Sequence, residues 1–302
     1  MTTSQSARIL VIGYGEMGHA MEYLLADGHA LAIHDVALPA GMPAIDFDAE
    51  AARADFVLLC VPTQPLEELL QRLAGVIQPH CICISISKGL DDKGRTPAQI
   101  YQQLLSGRRY GFMYGPMISE EIRVGRHAFA QFGCTDETVF QDASALYSGT
   151  RLYFHHSTDI AGISWAVILK NIYAIGFGLA DGLQLGDNMR GYLAVAAIEE
   201  LSDIVSSMGG DPHTPWQLAG LGDLITTATS AGSHHHELGC RLARGEREDI
   251  SGEGVHTLEM VTKHALFDID RYPLCRLIAE TIDSPSASLE RINQYLEVRF
   301  GR

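Results

Sequence analysis

Positive charge is scarce in this 302-residue chain, in which 22 lysines and arginines are set against 37 aspartates and glutamates. The formal net charge is −15. Proteins that bind nucleic acids need a basic surface for the phosphate backbone, so this composition argues against that class of partner. The same acidity repels anions at long range, and an anionic substrate would therefore need a local basic cluster.

The chain also lacks the patterns that would indicate a cysteine metal site or a secreted protein. Its six cysteines have no metal-ligand spacing, and Cys81 and Cys83 stand two apart in an apolar run, as on one face of a buried strand. Residues 1–7 are polar and show no basic segment followed by an apolar stretch, so we expect no secretory signal. Reduced thiols and a cytoplasmic location are the expectation.

A long hydrophobic run is present only once, over residues 160–180, with Lys170 as its single charge. The length would permit a membrane span. A lysine at the centre of a span costs roughly 2.5–3.5 kcal/mol even on the insertion scale, and no flanking basic cluster marks an inside face. We therefore predict a buried helix of a soluble protein and no membrane span.

Short apolar runs alternate with helical stretches through the first half of the chain. We predict strands at 8–12, 31–35, 55–61, 81–87, 111–114, 128–132 and 151–155, with a helix ending near Leu25. This order predicts an α/β Rossmann domain with a doubly wound, mostly parallel sheet over residues 1–156. Helical spacing then dominates, including Leu193 to Met208 before two glycines, so residues 157–302 are predicted to form an all-α domain.

Gly13, Gly15 and Gly18 stand between the first strand and the first helix, which is where a dinucleotide-binding turn needs them. The helix N-terminus, with Glu16 and Met17, would face the pyrophosphate. Asp35 follows Gly13 by 22 residues, close to the spacing of about 20 expected for an acid that binds the ribose hydroxyls. Its charge favours NAD over NADP. The alternatives are turn glycines in a non-binding sheet and a solvated surface acid.

Lys170 needs a carboxylate partner or a function, because lysines are almost never buried alone. Burial lowers a lysine pKa toward the range useful for proton transfer. Asp187 and Asp223, each beside a glycine near a predicted helix end, are the candidate partners. The alternative is a lysine that extends to a cleft edge.

Two further positions follow predicted strands and therefore lie at the carboxyl edge of the sheet, where ligands bind in such folds. They are Lys88, in Ser87-Lys88-Gly89, and Gly115, in Gly115-Pro116. A strand-end surface lysine and an ordinary turn are the competing interpretations.

Taken in order, seven segments give the chain a specific family likeness over nearly its whole length. It resembles the NAD(P)-dependent glycerol-3-phosphate dehydrogenases, and the matching segments are Gly13–Gly18, Ser87–Gly89, Gly115–Glu121, Leu169–Asn171, Ala180–Asn188, Leu218–Leu224 and Glu253–Val255. The resemblance implies hydride transfer at C2 of dihydroxyacetone phosphate, with a homodimer expected by analogy with related folds only.

The resemblance also implies roles for individual residues. Lys170 would be the proton donor and acceptor, and it would neutralise charge that develops on the carbonyl oxygen. Lys88, Asp223 and Thr227 would position the substrate, which Asn171 would also contact. Glu253 would lie near the nicotinamide end of the cofactor.

The chain departs from the family pattern at the segment that grips the substrate phosphate. The family normally has Ser-Arg-Asn there, whereas this chain has Ser233-His234-His235-His236. A second basic position is occupied here by Val195-Ala196. The three histidines are predicted to lie in a solvated loop, with a metal site as the alternative interpretation, and no metal cofactor is expected.

The resulting hypothesis is an NAD-dependent glycerol-3-phosphate dehydrogenase of glycerophospholipid metabolism. The altered phosphate segment leaves open a dehydrogenase of the same architecture acting on another small hydroxy compound. A non-catalytic dinucleotide sensor is the alternative of another class, against which the retention of Lys88 and Lys170 argues.

Overall fold

The computed structural model describes residues 6–230 and 232–301, in two compact units. One comprises the described residues up to Asp91 together with Arg95–Ile160, and the other comprises Asp92–Gly94 with the described residues from Ala161 onward. The domain boundary predicted after residue 156 falls inside a strand that continues to Ser157. Residues 1–5, which belong to the polar start predicted to lack a secretory signal, lie outside the described part.

The first unit is built on a seven-stranded sheet with the order β2-β1-β3-β4-β5-β6-β7. All neighbouring strands are parallel except β5 and β6, which are antiparallel. The predicted mostly parallel, Rossmann-like sheet is therefore confirmed. The strands are β1 Arg8–Ile12, β2 Ala30–His34, β3 Phe56–Leu59, β4 Ile82–Ser85, β5 Arg109–Tyr114, β6 Ala128–Gly133 and β7 Leu152–Ser157.

Helices follow most of these strands, as the alternation of apolar runs predicts. Leu66, Leu70 and Leu73 recur at helical spacing and are fully buried, so one face of their helix packs into the unit. The central strands are buried at every position, which is typical of a sheet covered on both faces. The helices are α1 Glu16–Leu25, α2 Phe47–Ala51, α3 Leu66–Val76, α4 Pro97–Leu104, α5 Ser119–Arg123 and α6 Glu137–Leu146.

The second unit is helical, as predicted. Its helices are α7 Ile160–Gly182, whose first residue belongs to the first unit, α8 Gly186–Ser207, α9 Asp223–Thr229, α10 His234–Ala243, α11 Glu253–His264, α12 Pro273–Asp283 and α13 Ser288–Phe300. A π-helical turn, Leu218–Gly222, leads directly into α9. The chain leaves α8 through Gly209, whose φ of +86° suits a glycine after a helix end.

Helix α7 is long and apolar enough to cross a membrane, yet 89% of its most apolar window is buried inside the protein. The described residues contain no other helix that passes this test. Nineteen of its residues, Gly162 to Ala180, are buried, and they include Lys170 and Asn171. The prediction of a buried core helix is therefore supported.

Some element boundaries differ from the sequence prediction. Strands β3 and β4 are shorter than the apolar runs 55–61 and 81–87, because their mutual pairing covers only Phe56–Leu59 and Ile82–Ser85. The prediction of a loop at His234–His236 is wrong. Ser233 caps a helix there, with its hydroxyl accepting a hydrogen bond from the His236 backbone N–H at 3.3 Å, so the histidines form the first turn of α10.

Candidate active site

Each of the three glycines in the glycine-rich turn between β1 and α1 has a different local environment, which explains why a glycine suits that position. Gly13 has φ of +93°, and a Cβ there would lie 2.5 Å from the Cys60 carbonyl oxygen. A Cβ at Gly18 would collide with the Gly13 carbonyl, because helix and strand approach closely. Gly15 has open space around it, with no atom within 4 Å of a Cβ. This is room that a pyrophosphate approaching the backbone needs.

Helix α1 begins without a side-chain cap from any described residue, which leaves its first N–H groups for an anion. The exposed Glu16 carboxylate is engaged elsewhere, accepting hydrogen bonds from Ser119 at 2.8 Å and Arg123 at 3.4 Å. The uncapped helix start and the space at Gly15 both fit a dinucleotide pyrophosphate. The contacts of Glu16 and Met17 with a cofactor remain predictions.

Asp35 directly follows β2, and its carboxylate is fixed by two backbone donors. The Tyr14 N–H donates to Oδ2 at 2.6 Å and the Ala37 N–H donates to Oδ1 at 2.8 Å. The Tyr14 hydrogen bond lowers the pKa of the Asp35 carboxyl and outweighs the opposing effect of partial burial. An ionised carboxylate is thus held against the glycine-rich turn, where it suits the hydroxyls of an adenosine ribose.

Lys88 follows β4 in a segment that hydroxyl groups hold in place. The Thr63 hydroxyl donates to the carbonyl oxygens of Lys88 and Gly89, at 2.8 and 3.2 Å. Ser87 in turn donates to the Val61 carbonyl at 2.6 Å. Thr63 could not be identified from the sequence, because a lone threonine after a strand is ordinary.

Gly115 directly follows β5 and lies close to the neighbouring strand β6. A Cβ there would lie 2.6 Å from the Phe129 carbonyl oxygen and 3.0 Å from the Ala130 Cα. The packing of β5 on β6 therefore accounts for this glycine. Its contact with substrate stays a prediction.

The second unit holds a buried ion pair in the middle of α7. Lys170 Nζ lies 3.2 Å from Asp223 Oδ2, and both side chains are about 5% exposed. Nζ also donates to the Thr227 hydroxyl at 2.6 Å, and that hydroxyl donates to the Asp223 backbone carbonyl at 2.7 Å. The other candidate partner, Asp187, is exposed and pairs with Arg190. Asp223 is therefore the carboxylate beside Lys170.

This arrangement is suited to proton transfer. The carboxylate stabilises the ammonium form of Lys170, and the two hydrogen-bonding partners fix its orientation. Since Asp223 and Thr227 both lie on the short helix α9, one element supplies both partners. The π-helical turn before α9 is a type of irregularity frequent at functional sites.

Beside Lys170, the Asn171 side chain donates to Glu253 Oε2 at 2.8 Å. Glu253 is exposed at the first position of α11, and the next residue packs on α7, since a Cβ at Gly254 would lie 2.8 Å from the Asn171 carbonyl oxygen. Asn171, which was expected near the substrate, and Glu253, which was expected near the nicotinamide, are therefore in direct contact.

The three histidines at the start of α10 have different surroundings. His234 is exposed, whereas His235 Nε2 accepts a long hydrogen bond, 3.4 Å, from the Gly254 backbone N–H. His236 Nε2 lies 2.7 Å from Asp181 Oδ2 on α7. Within the described residues there is no group of three or more metal-ligating side chains, so the metal interpretation gains no support. The pairing of His236 with Asp181 was missed by the sequence analysis, because 55 residues separate the two.

Comparison with known proteins identifies the same family in both halves of the chain. Residues 29–140 match the N-terminal model of NAD-dependent glycerol-3-phosphate dehydrogenase, and residues 159–288 match the C-terminal model. A glycerol-3-phosphate dehydrogenase [NAD(P)+] of Sphingopyxis alaskensis is 32% identical over 76% of this chain and 70% of its own length. The Agrobacterium fabrum enzyme of that name is 29% identical, over 92% of this chain and 94% of its own length.

Solved structures agree on the fold. The glycerol-3-phosphate dehydrogenase of Coxiella burnetii superposes with a TM-score of 0.83 at 23% identity, covering 97% of this chain and 99% of that one. The yeast enzyme gives a TM-score of 0.76 at 19% identity, over 96% of this chain and 99% of its own. Together, the family models and relatives show that the chain belongs to the NAD(P)-dependent glycerol-3-phosphate dehydrogenase family, whose members are oxidoreductases acting on a CH–OH group.

Proposed function

We propose that this chain interconverts sn-glycerol 3-phosphate and dihydroxyacetone phosphate with NAD(H), using Lys170 as general acid and base. The observation that carries the proposal is the buried pair of Lys170 and Asp223 with Thr227 beside it. A dinucleotide sensor has no need of a buried, oriented ammonium group. Family membership and the fit of the glycine-rich turn to a pyrophosphate support the same activity.

A dinucleotide held at Gly13, Gly15 and Gly18, with its ribose on Asp35, would supply the hydride that C2 accepts in the reducing direction. Lys170 stabilises the negative charge that develops on the carbonyl oxygen and donates the proton that makes it a hydroxyl. Asp223 keeps the ammonium charged, while Thr227 fixes its direction. In the oxidising direction, neutral Lys170 accepts the hydroxyl proton. Lys88, Gly115 and Asn171 are proposed to contact the substrate, and Glu253 the nicotinamide end of the cofactor.

The substrate phosphate is proposed to bind at the first turn of α10, where the helix N-terminus and the exposed His234 would attract an anion. An arginine would offer a permanent charge and a two-pronged donor set. A histidine offers a single ring, and near neutral pH histidines are charged only part of the time. The presence of His234 in place of an arginine also favours a second candidate function, in which the substrate is a small hydroxy compound without phosphate.

His234→Arg, alone and with His235→Asn, is expected to lower the KM for dihydroxyacetone phosphate. The permanent charge and paired donors of arginine hold a phosphate more firmly than a single imidazole ring does. Steady-state kinetics of the wild type and of both variants measure the change in KM.

His213→Arg is the matched control, since it adds the same charge at another exposed histidine of the second unit. A KM for dihydroxyacetone phosphate that neither His234 variant alters would show that this turn does not bind the phosphate. Wild-type preference for a phosphate-free analogue, lost in His234→Arg, would instead support the second candidate function.

The cofactor is proposed to be NAD in preference to NADP, because the Asp35 carboxylate accepts ribose hydroxyl donors and repels a 2′-phosphate. Asp35→Ser is expected to reduce the ratio of kcat/KM for NADH to that for NADPH. Asp35→Asn removes the charge of the side chain and nearly keeps its shape, so it tests the effect of the charge alone. Asp27→Ser, at an exposed acid of the same unit, is the control. Equal or better wild-type efficiency with NADPH would show this role of Asp35 to be wrong.

A cytoplasmic location and a homodimer remain predictions. All six cysteines are unpaired thiols, four of them buried, which fits a reducing compartment. Sedimentation analysis of the purified chain would test the dimer.

A further inference from the structure

The third histidine of α10, His236, has no part in the chemistry described above, yet it makes the shortest contact of the three. Its Nε2 lies 2.7 Å from Asp181 Oδ2, and both side chains are mostly buried, at 22% and 17% exposure. Its backbone N–H is used separately, by the Ser233 cap. The ring therefore ties the first turn of α10 to the last turns of α7.

That contact sits where the two helices touch backbone to backbone. A Cβ at Gly178 of α7 would collide with the His236 carbonyl oxygen. A Cβ at Gly239 of α10 would collide with the Ile175 carbonyl oxygen. With no side chains between them, small shifts in one helix pass directly to the other.

Asp181 is itself held from a second side. Arg190 of α8 donates to Asp181 Oδ1 at 2.6 Å and to Asp187 at 2.8 Å. Partial burial alone would raise the pKa of the Asp181 carboxyl, but the Arg190 and His236 hydrogen bonds lower it below its usual value. The His236 ring therefore contacts an Asp181 carboxylate that is anionic and held in a fixed orientation.

On its other side, the same turn of α10 contacts the start of α11. His235 accepts the Gly254 N–H, and Gly254 packs against the Asn171 carbonyl, one residue from Lys170. Besides the close glycine contacts, the first turn of α10 is therefore linked to α7 through His236 and Asp181 at one point and, by way of Gly254 of α11, to Asn171 about three helical turns earlier. The positions of His234 and of Lys170 are linked through these contacts.

We propose that His236 is a positioning residue for the substrate phosphate: its bond to Asp181 fixes the first turn of α10, and with it His234, relative to the helix that carries Lys170. This inference rests on the proposed function. Both ring nitrogens face groups of the protein, Nε2 towards Asp181 and Nδ1 towards Cys240 Sγ at 3.9 Å, so the ring is expected to act on the substrate only through the position of His234. Its effect should appear only with substrates that carry a phosphate.

The test compares dihydroxyacetone phosphate with dihydroxyacetone, which lacks the phosphate. His236→Ala is expected to raise the KM for dihydroxyacetone phosphate about 10-fold, the scale of one lost charge-assisted hydrogen bond. The kcat, the NADH Kd and the kcat/KM for dihydroxyacetone should stay within about 2-fold. In His236→Gln the side-chain amide can still donate to Asp181, so most of the wild-type KM should return. His213→Ala is the control for loss of an exposed histidine.

Two results would overturn the inference. One is an unchanged KM for dihydroxyacetone phosphate in both variants. The other is an equal loss with both substrates that His236→Gln fails to rescue, because that pattern describes a general structural role. Failure of the proposed function is a separate outcome: wild-type protein that oxidises no NADH with dihydroxyacetone phosphate shows it before any variant is compared.

Discussion

Lys170→Ala is expected to lower kcat by at least about 100-fold, the usual scale for a positioned proton-transfer group. The substitution removes both the proton and the positive charge that stabilises the developing alkoxide. The NADH Kd should stay nearly unchanged, because the glycine-rich turn and Asp35 belong to the first unit. Stopped-flow turnover and fluorescence titration of NADH measure the two quantities independently.

Lys263→Ala is the matched control, since Lys263 is an exposed lysine of the same unit. Addition of small primary amines should restore part of the activity to Lys170→Ala and have no effect on the control. If Lys170→Ala retains wild-type turnover, the lysine is a structural residue and the proposed chemistry fails.

Asp223→Ala is expected to produce a similar loss of turnover together with a large loss of stability. It leaves the Lys170 ammonium buried among apolar residues of α7, and breaking a buried pair in this way costs about 3–5 kcal/mol. Urea denaturation of the variant measures the change in the free energy of unfolding. Asp187→Ala, at the exposed acid that the sequence could not distinguish from Asp223, should leave stability nearly intact.

A double variant separates the electrostatic cost from simple loss of packing. Lys170→Met with Asp223→Ala contains neither charge, so it should be more stable than Asp223→Ala alone while remaining inactive. Equal destabilisation of the single and double variants would show that the ion pair is not what holds α9 against α7.

The sequence predicted the parts of this protein whose causes are local. The glycine spacing, the strand before it and the acid 22 residues on together predict a dinucleotide-binding turn, and the structure gives a steric reason for Gly13 and Gly18 and open space at Gly15. The buried helix was equally predictable, since an uninterrupted apolar stretch with one central lysine needs an interior and a partner.

Pairings between distant residues were not predictable in the same way. Asp187 and Asp223 are equivalent by sequence, and only the fold shows that Asp223 starts a helix beside Lys170 while Asp187 faces solvent. The three histidines were predicted to lie in a solvated loop, because nothing in their own sequence shows which helix they pack against. Ser233 as a cap and the close glycine contacts with α7 instead make them the first turn of α10.

The proposed activity is tested most directly by the rate of NADH oxidation with dihydroxyacetone phosphate and with dihydroxyacetone, measured on the wild-type chain at equal concentrations. We predict that kcat/KM is at least about 100-fold higher for the phosphorylated ketone, because a bound phosphate contributes charge-assisted hydrogen bonds worth several kcal/mol. Equal or greater efficiency with the ketone that lacks phosphate would contradict glycerol 3-phosphate as the substrate.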